Sequence, residues 1–149
     1  MKCLVIYAST SGNTRTLAEA IADAMRPRGD VELIAVDQAP AALPSADLVF
    51  IGAPTEAHTM SKPMARFFER LVPGTVRGTV AAAFDTRIGV PRLLSGSAAV
   101  AIAKRLRSAG ARMAVPPESF LVTKKPELEP GELTRAASWA VRVADSVAA

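Results

Sequence analysis

Two hydrophobic patterns alternate along the whole chain, and this alternation constrains the fold more than any other feature of the sequence. Cys3 to Ala8 is a continuous apolar run, as in a strand buried on both faces, and from Asn13 a helical pattern places Leu17 and Ile21 on one side. Repeated strand-then-helix patterns are typical of βα units around a parallel sheet. The sequence therefore predicts an α/β protein with helices on both faces of its sheet.

Five βα units account for the pattern. Further strands are predicted at Val31–Val36, Leu48–Gly52, Thr79–Phe84 and, as one strand broken by Pro116-Pro117, at Arg112–Val115 with Ser119–Val122. The broken strand is expected at the edge of the sheet, since proline cannot donate to a central ladder. Helices are predicted from a Ser61 cap to Leu71, from Ala98 to Leu106, and from near Pro130 onward.

The last predicted helix has an apolar stripe at spacings of three and four. Its members are Leu133, Ala137, Ala140, Ala144 and Val147. This choice of face leaves Arg135 and Arg142 on the solvent side, with Trp139 elsewhere on the helix.

Length and composition favour one globular domain over residues 1–149. Half of the residues are apolar and 21% are charged, a balance found in folded proteins. No apolar run is long enough to cross a bilayer, and the start leads directly into a strand, a loop and a helix, unlike a secretory signal. We therefore expect a cytoplasmic protein with no membrane partner.

Charge and ligand chemistry exclude several kinds of site. Residues 1–60 carry four Lys/Arg against seven Asp/Glu and residues 61–149 carry fourteen against seven, but the basic residues lie at helical spacing, as on solvated faces. Few aromatic residues accompany them, so no nucleic-acid partner is expected. Cys3 is predicted to be a small core residue, and with only His58 besides it the sequence offers no set of nitrogen and sulfur ligands for a metal.

Ligands of such sheets bind outside the carboxyl ends of the strands. The candidate segments are residues 9–14, 53–61 and 85–95, after the first, third and fourth predicted strands. Oligomeric state is left open by the sequence.

The first of these segments has the composition of an anion site. Its sequence is Ser9-Thr10-Ser11-Gly12-Asn13-Thr14. Hydroxyl groups surround a glycine at the start of a helix, where free amides and the helix dipole favour a phosphate. The loop lacks the lysine of a nucleotide-hydrolase loop and the three glycines of a dinucleotide fingerprint. The alternative is a Ser/Thr-rich helix cap without a ligand.

This loop resembles that of the flavodoxin family, in which a Thr/Ser-x-Thr/Ser-Gly-x-Thr motif after the first strand binds the FMN phosphate. Ser9, Ser11, Gly12 and Thr14 match the motif, and chain length and element order are also similar. The resemblance implies a three-layer, doubly wound, five-stranded parallel sheet of order 2-1-3-4-5. It also implies FMN as the cofactor and no catalytic side chain.

The other two segments extend the resemblance toward the flavin ring. The second is similar to the Pro-Thr loop of flavodoxin-like quinone reductases and contains Pro54, Thr55, Glu56, Ala57 and His58. His58 and Glu56 are interpreted either as flavin contacts or as solvated residues. The third, Phe84-Asp85-Thr86-Arg87, corresponds by position to the backbone that meets the pyrimidine end of the flavin. Arg87 either turns inward, raising the flavin potential, or is an exposed loop residue.

Two departures separate the sequence from carrier flavodoxins. Neither ring-side segment contains Trp or Tyr for stacking, and the chain is basic, with a formal net charge of +4. The leading hypothesis is an FMN-binding redox protein that passes electrons to a redox partner protein or a small-molecule acceptor. The alternatives are a small FMN-dependent NAD(P)H:quinone or flavin reductase, and a phosphate-ligand binding module without redox activity.

Overall fold

The computed structural model describes residues 1–148, in which one sheet is covered by helices on both faces. The strands are β1 (Lys2–Tyr7), β2 (Asp30–Ala35), β3 (Leu48–Glu56), β4 (Thr59–Met60), β5 (Val80–Ile88), β6 (Arg112–Met113) and β7 (Glu118–Val122). The helices are α1 (Asn13–Met25), α2 (Lys62–Arg70), α3 (Arg92–Ser95), α4 (Ala98–Ser108) and α5 (Glu132–Ala148). Short 3₁₀ turns follow α1 at Arg26–Arg28 and β2 at Val36–Gln38.

The sheet has the predicted order. Parallel strands run β2-β1-β3-β5, and the fifth position beside β5 is shared by β6 and β7. The break between β6 and β7 coincides with Pro116-Pro117, so the predicted interrupted edge strand is confirmed. One further strand, β4, is short and folds back antiparallel on the end of β3.

Two apolar layers hold the sheet between its helices. One face packs on α2 and α4 through Met64, Phe67 and Ile102 among others, and the opposite face packs on α1 and α5. Cys3 is buried in the second layer, as predicted, and burial raises the pKa of its thiol to about 12. The thiol is therefore protonated and unreactive near neutral pH.

The structure corrects the predicted face of α5. Its buried residues are Glu132, Ala136, Trp139, Ala140, Val143 and Ala144, whereas Leu133 is 41% exposed. Trp139 decides this orientation, because its ring packs edge-on against Phe50, at a centroid distance of 5.5 Å. Arg135 consequently turns toward β7 instead of solvent, and its guanidinium lies over the ring of Phe120.

Two predicted strand ends are also corrected. β3 continues to Glu56 and β5 to Ile88, so that Ala53–Glu56 and Asp85–Arg87 are strand residues and not loops. Pairing between β3 and β5 extends to Pro54 beside Thr86, which keeps both strands regular beyond the predicted ends. No helix among residues 1–148 is both long enough and apolar enough to span a bilayer.

Candidate functional site

The segment Ser9–Thr14, here named the first loop, joins the end of β1 to the start of α1. Its turn into the helix is made at Gly12, which has a φ of 95° and precedes the first helical residue. A residue with a side chain is strained at such a φ, whereas glycine adopts it readily. The glycine predicted to bring the backbone close to an anion is therefore also the residue that allows the chain to enter α1.

Backbone amides of the first loop are open. Within residues 1–148, no acceptor is found for the amides of Thr10, Ser11, Asn13 and Thr14. Amides at the start of a helix point outward and carry the positive end of the helix dipole. The first loop therefore presents several unsatisfied donors to one point at the carboxyl edge of the sheet.

The hydroxyl groups of the loop divide into two kinds. The Ser9 Oγ accepts hydrogen bonds from the amides of Gly12 at 3.1 Å and Arg15 at 3.4 Å, which orients it and leaves its own proton to be donated. The Ser11 Oγ likewise accepts from the Asn13 side chain, at 3.2 Å. The Thr10 hydroxyl, by contrast, donates to a Glu56 carboxylate oxygen at 2.7 Å and so ties the first loop to the end of β3.

Thr14 lies beneath the loop and is 1% exposed. Its Oγ1 is 3.3 Å from the Oγ1 of Thr86 on β5, and either hydroxyl can donate to the other. Because one hydrogen bond uses one proton, the second hydroxyl proton of this pair remains available. The two threonines connect the first loop to the third predicted segment.

The second predicted segment is a tight hairpin formed by β3 and β4. Glu56 pairs with Thr59 across the two-residue turn Ala57-His58, and both turn residues have positive φ, 48° and 70°. The turn lies against Gly96, which forms a parallel bridge with His58. A Cβ on Gly96 would lie only 2.1 Å from the His58 carbonyl oxygen, so a glycine is required at this approach.

The Thr55 hydroxyl faces the start of α4. Its Oγ1 accepts a hydrogen bond from the Ala98 amide at 3.1 Å, which fixes the side chain and leaves its proton free. The Asp85 carboxylate accepts from the adjacent Ala99 amide at 3.0 Å and from the Ser97 hydroxyl. These contacts hold the ends of β3 and β5 against the N-terminus of α4.

The third predicted segment is only partly at the site. Phe84 lies in the core, where its ring contacts Trp139 and occupies the space opposite Gly52. Asp85 is fully buried and forms hydrogen bonds to the start of α4. Neither side chain faces solvent at the carboxyl edge, because β5 is still a central strand at both positions. Contact of this segment with a flavin through its backbone, as the resemblance implies, stays a prediction and does not involve these two side chains.

Arg87 follows Thr86 on β5, and both residues line the carboxyl edge of the sheet. Its guanidinium Nη1 donates to the carbonyl oxygens of Ile88 and Val90, while its buried Nε has no hydrogen-bond partner within residues 1–148. The positive charge is held close to the sheet by the loop after β5. Arg87 is therefore held by hydrogen bonds to backbone carbonyls and is not a freely exposed arginine.

A cavity of about 480 Å³ joins the three segments. We name it the edge cavity. The predicted residues that line it are Thr10, Ser11, Asn13, Pro54, Thr55, Glu56, Ala57, His58, Thr86 and Arg87. Its size lies within the range of small-molecule and cofactor sites.

Five further residues line the edge cavity. Ile88, Leu94 and Ser95 lie within the predicted segment 85–95, whereas Val122 and Pro126, at and after the end of β7, were not predicted. Ile88 and Leu94 are 44% and 64% exposed, so the loop after β5 presents an apolar surface at the mouth. Pro126 follows β7, and its carbonyl accepts from the Asn13 side chain at 2.6 Å. The general rule that ligands bind at the carboxyl edge would have pointed to Pro126 if it had been applied to the fifth strand as well.

The donors of the site fit a phosphate-bearing flavin and do not fit a metal. Open amides and hydroxyl protons of the first loop match the acceptor oxygens of a phosphate, and the adjoining cavity has space for a ring. No Phe, Tyr or Trp is among the described residues that line the edge cavity. Within residues 1–148 no three His, Cys, Asp or Glu side chains cluster as metal ligands would.

The order of the sheet and the open amides of the first loop are those expected for a flavodoxin-type α/β protein. Residues 4–73 match the family model described as a flavodoxin domain. A flavodoxin from the domain Archaea has a similar structure over 100% of both chains, with a TM-score of 0.79 and 27% sequence identity.

Two curated proteins are similar in sequence. The NAD(P)H dehydrogenase (quinone) of Gluconacetobacter diazotrophicus is 32% identical over an alignment of 111 residues, with coverage of 57% of this chain and 56% of that protein. The flavodoxin of Aquifex aeolicus is 35% identical over an alignment of 94 residues, with coverage of 59% of this chain and 51% of that protein. The match spans about half the length of these curated relatives. The chain is thus similar to flavodoxins in sequence and in fold, and this similarity implies FMN as its cofactor.

Proposed function

We propose that the chain is an FMN-binding redox protein that transfers electrons through the bound flavin. The observation that carries this proposal is the first loop, whose open amides at the start of α1 adjoin a cavity lined by residues from all three predicted segments. The flavin supplies one- and two-electron chemistry when bound. The protein then needs only to hold and orient the cofactor, so no catalytic side chain is proposed.

Binding of the phosphate is assigned to the first loop. We propose that the amides of Ser11, Asn13 and Thr14 donate to phosphate oxygens, together with the oriented hydroxyl of Ser9. All of these donors are neutral, and the nearest arginine, Arg15, pairs with Glu19 at 3.1 Å. The helix dipole therefore supplies the complementary charge.

Contact with the flavin ring is assigned to the β3–β4 hairpin and to the end of β5. Pro54, Thr55 and His58 line the edge cavity, and Thr86 with Arg87 lines it from the neighbouring strand β5. A guanidinium near the pyrimidine end favours negative charge on the reduced ring and raises its potential. We propose that Arg87 has this effect, because loop carbonyls hold its charge at the cavity wall.

Transfer to a redox partner protein or a small-molecule acceptor takes place, in this proposal, across the mouth of the edge cavity. The exposed Ile88 and Leu94 lie there. A cytoplasmic location for a single flavodoxin-like domain over residues 1–149 is part of the same proposal.

An FMN-dependent NAD(P)H:quinone reductase is the second candidate. It is favoured by the similarity to the protein named NAD(P)H dehydrogenase (quinone), which matches over 57% of this chain. A nicotinamide or quinone would then bind beside the flavin at the mouth of the edge cavity, where Ile88 and Leu94 are exposed. Oxidation of NADH or NADPH by the FMN-loaded protein in the presence of a quinone is the activity that separates this candidate from an electron carrier.

A binding module without redox activity is the third candidate. The lack of aromatic lining residues in the edge cavity favours it, because most of the stacking surface for a flavin is then absent. Its ligand would still carry a phosphate for the first loop.

The absorption spectrum of the purified protein, recorded before and after incubation with FMN and removal of free FMN, tests the proposal. We expect the visible bands of bound flavin, their bleaching by dithionite without oxygen, and their return with an electron acceptor. A protein that stays colourless after incubation with FMN refutes flavin binding. Flavin that binds but is not reduced supports the binding module instead.

A further inference from the structure

A second cavity lies on the other side of the first loop, between the ends of β1 and β2 and the start of α2. Its volume is about 400 Å³. We name it the arginine cavity. Polar residues that border it are Tyr7, Ser9, Thr10, Arg15, Asp37, Ser61, Arg66 and Arg70. Ser9 and Thr10 belong to the first loop and are shared with the proposed flavin site, whereas flavin binding, as proposed above, uses none of the other six.

Positive charge dominates the arginine cavity. Arg70 is held at its wall by a hydrogen bond from Nη2 to the Val36 carbonyl at 3.1 Å, and Arg66 has no hydrogen-bond or ion-pair partner within residues 1–148. Arg15 is paired with Glu19. Asp37 is the one acidic residue among the lining side chains, and it lies beyond ion-pair distance of all three arginines. Two arginine charges therefore remain uncompensated.

The N-terminus of α2 opens on the same cavity. Pro63 has no amide proton, and within residues 1–148 no acceptor is found for the amides of Lys62 and Met64. The positive end of the helix dipole adds to the charge of Arg66, which lies one turn further along α2.

The buried hydroxyl of Ser61 is a second, independent observation that points to a ligand here. It precedes α2, borders the cavity and is 2% exposed, yet its Oγ makes no hydrogen bond within residues 1–148. The sequence predicts that this hydroxyl caps α2, and that prediction is wrong, because the side chain makes no cap bond. A buried hydroxyl without a partner is unfavourable, and a ligand oxygen at this position would satisfy it.

We propose that the arginine cavity binds a phosphate monoester, distinct from the group held by the first loop. Its oxygens accept from the forked guanidiniums of Arg66 and Arg70, from the Lys62 and Met64 amides, and from the Ser61 hydroxyl. Guanidinium forks and helix N-termini both complement a phosphate. The volume of the cavity leaves space for the organic part of the ligand. This second site goes beyond the proposed flavin function and does not depend on it.

Inorganic phosphate is the probe, titrated at constant ionic strength into the ¹⁵N-labelled protein loaded with FMN. Amide resonances are followed by NMR, because they distinguish the two sites by residue. We expect saturable shifts at Lys62 and Met64. If the protein takes no FMN, phosphate also binds in the first loop and shifts the amide resonances of Ser11 to Thr14. The shifts of Lys62 and Met64 still report the arginine cavity.

Three variants complete the test. Arg66→Ala should weaken phosphate binding about tenfold, and Ser61→Ala about fivefold, as expected for a lost charged and a lost neutral hydrogen bond. Arg107→Ala removes an exposed arginine of α4 that does not border the cavity, and it should leave the affinity unchanged. The proposal is overturned if Lys62 and Met64 show no saturable shift, or if Arg107→Ala weakens binding as much as Arg66→Ala.

Discussion

Gly96→Ala is expected to displace the hairpin turn that borders the edge cavity. Gly96 has a φ of 72° and a ψ of −175°, a conformation essentially restricted to glycine, where an alanine costs at least about 1–2 kcal/mol through backbone strain alone. An ideal Cβ on this residue would also lie 2.1 Å from the carbonyl oxygen and 2.3 Å from the Cα of His58. Ordinary contacts begin at 3.4 Å, so the turn must retreat by about 1.3 Å, the difference between 3.4 and 2.1 Å. Such overpacking adds about 1–3 kcal/mol.

Gly74→Ala is the matched control for this substitution. Gly74 has a φ of 85°, and a Cβ on it meets no atom within 4 Å, so only the backbone strain applies. Urea denaturation followed by circular dichroism should show a loss of about 1–2 kcal/mol for Gly74→Ala and about 2–5 kcal/mol for Gly96→Ala. FMN affinity should fall only in the second variant, since His58 lines the edge cavity. Equal losses of stability in the two variants would refute the close approach of the turn to Gly96.

Three further predictions concern the site and its support. Thr14→Val should weaken FMN binding by about 1–3 kcal/mol, measured by fluorescence titration, because it removes a hydroxyl proton and leaves the Thr86 hydroxyl unpaired; unchanged affinity would remove Thr14 from the site. Arg87→Ala should lower the flavin potential in a potentiometric titration, because a positive charge at the cavity wall is lost; no shift would contradict that placement. The hydrogen bond from Arg135 lowers the pKa of Glu132, so this carboxylate stabilises the fold above the ordinary glutamate range and loses that contribution as pH falls through its folded value. The free energy of unfolding of Glu132→Gln should therefore fall less steeply toward acid pH than that of the unchanged protein. An unchanged pH dependence would argue against the Glu132–Arg135 pair.

Local patterns in the sequence were sufficient to locate the strands, and the resemblance to flavodoxins supplied the order of the sheet. Cys3–Ala8 is apolar throughout because β1 is central and covered on both faces, and Pro116-Pro117 interrupts the edge strand at its actual break. The phosphate motif depends on residues adjacent in sequence. Its geometry therefore follows from the position of Gly12 between a strand and a helix.

Contacts between distant residues explain what the sequence did not predict. Asp85 is predicted in a loop, since a carboxylate is rarely buried in a central strand. Its Oδ2 accepts from the Ser97 hydroxyl and the Ala99 amide, while its Oδ1 has no partner within residues 1–148. Alanine occurs on several sides of α5, so its apolar spacing fits more than one rotational setting. The packing of Trp139 on Phe50 selects the observed one, and the edges of the site formed by Val122 and Pro126 depend likewise on long-range packing.

Comparison of FMN with riboflavin tests the central claim most directly, because the two ligands differ only in the phosphate assigned to the first loop. Both affinities can be measured by quenching of flavin fluorescence on titration with the apoprotein. The open amides and oriented hydroxyls of the first loop predict that FMN binds at least about a hundredfold more tightly, as expected from two or more charged hydrogen bonds. Equal affinities for FMN and riboflavin would contradict the assignment of the first loop as the phosphate site.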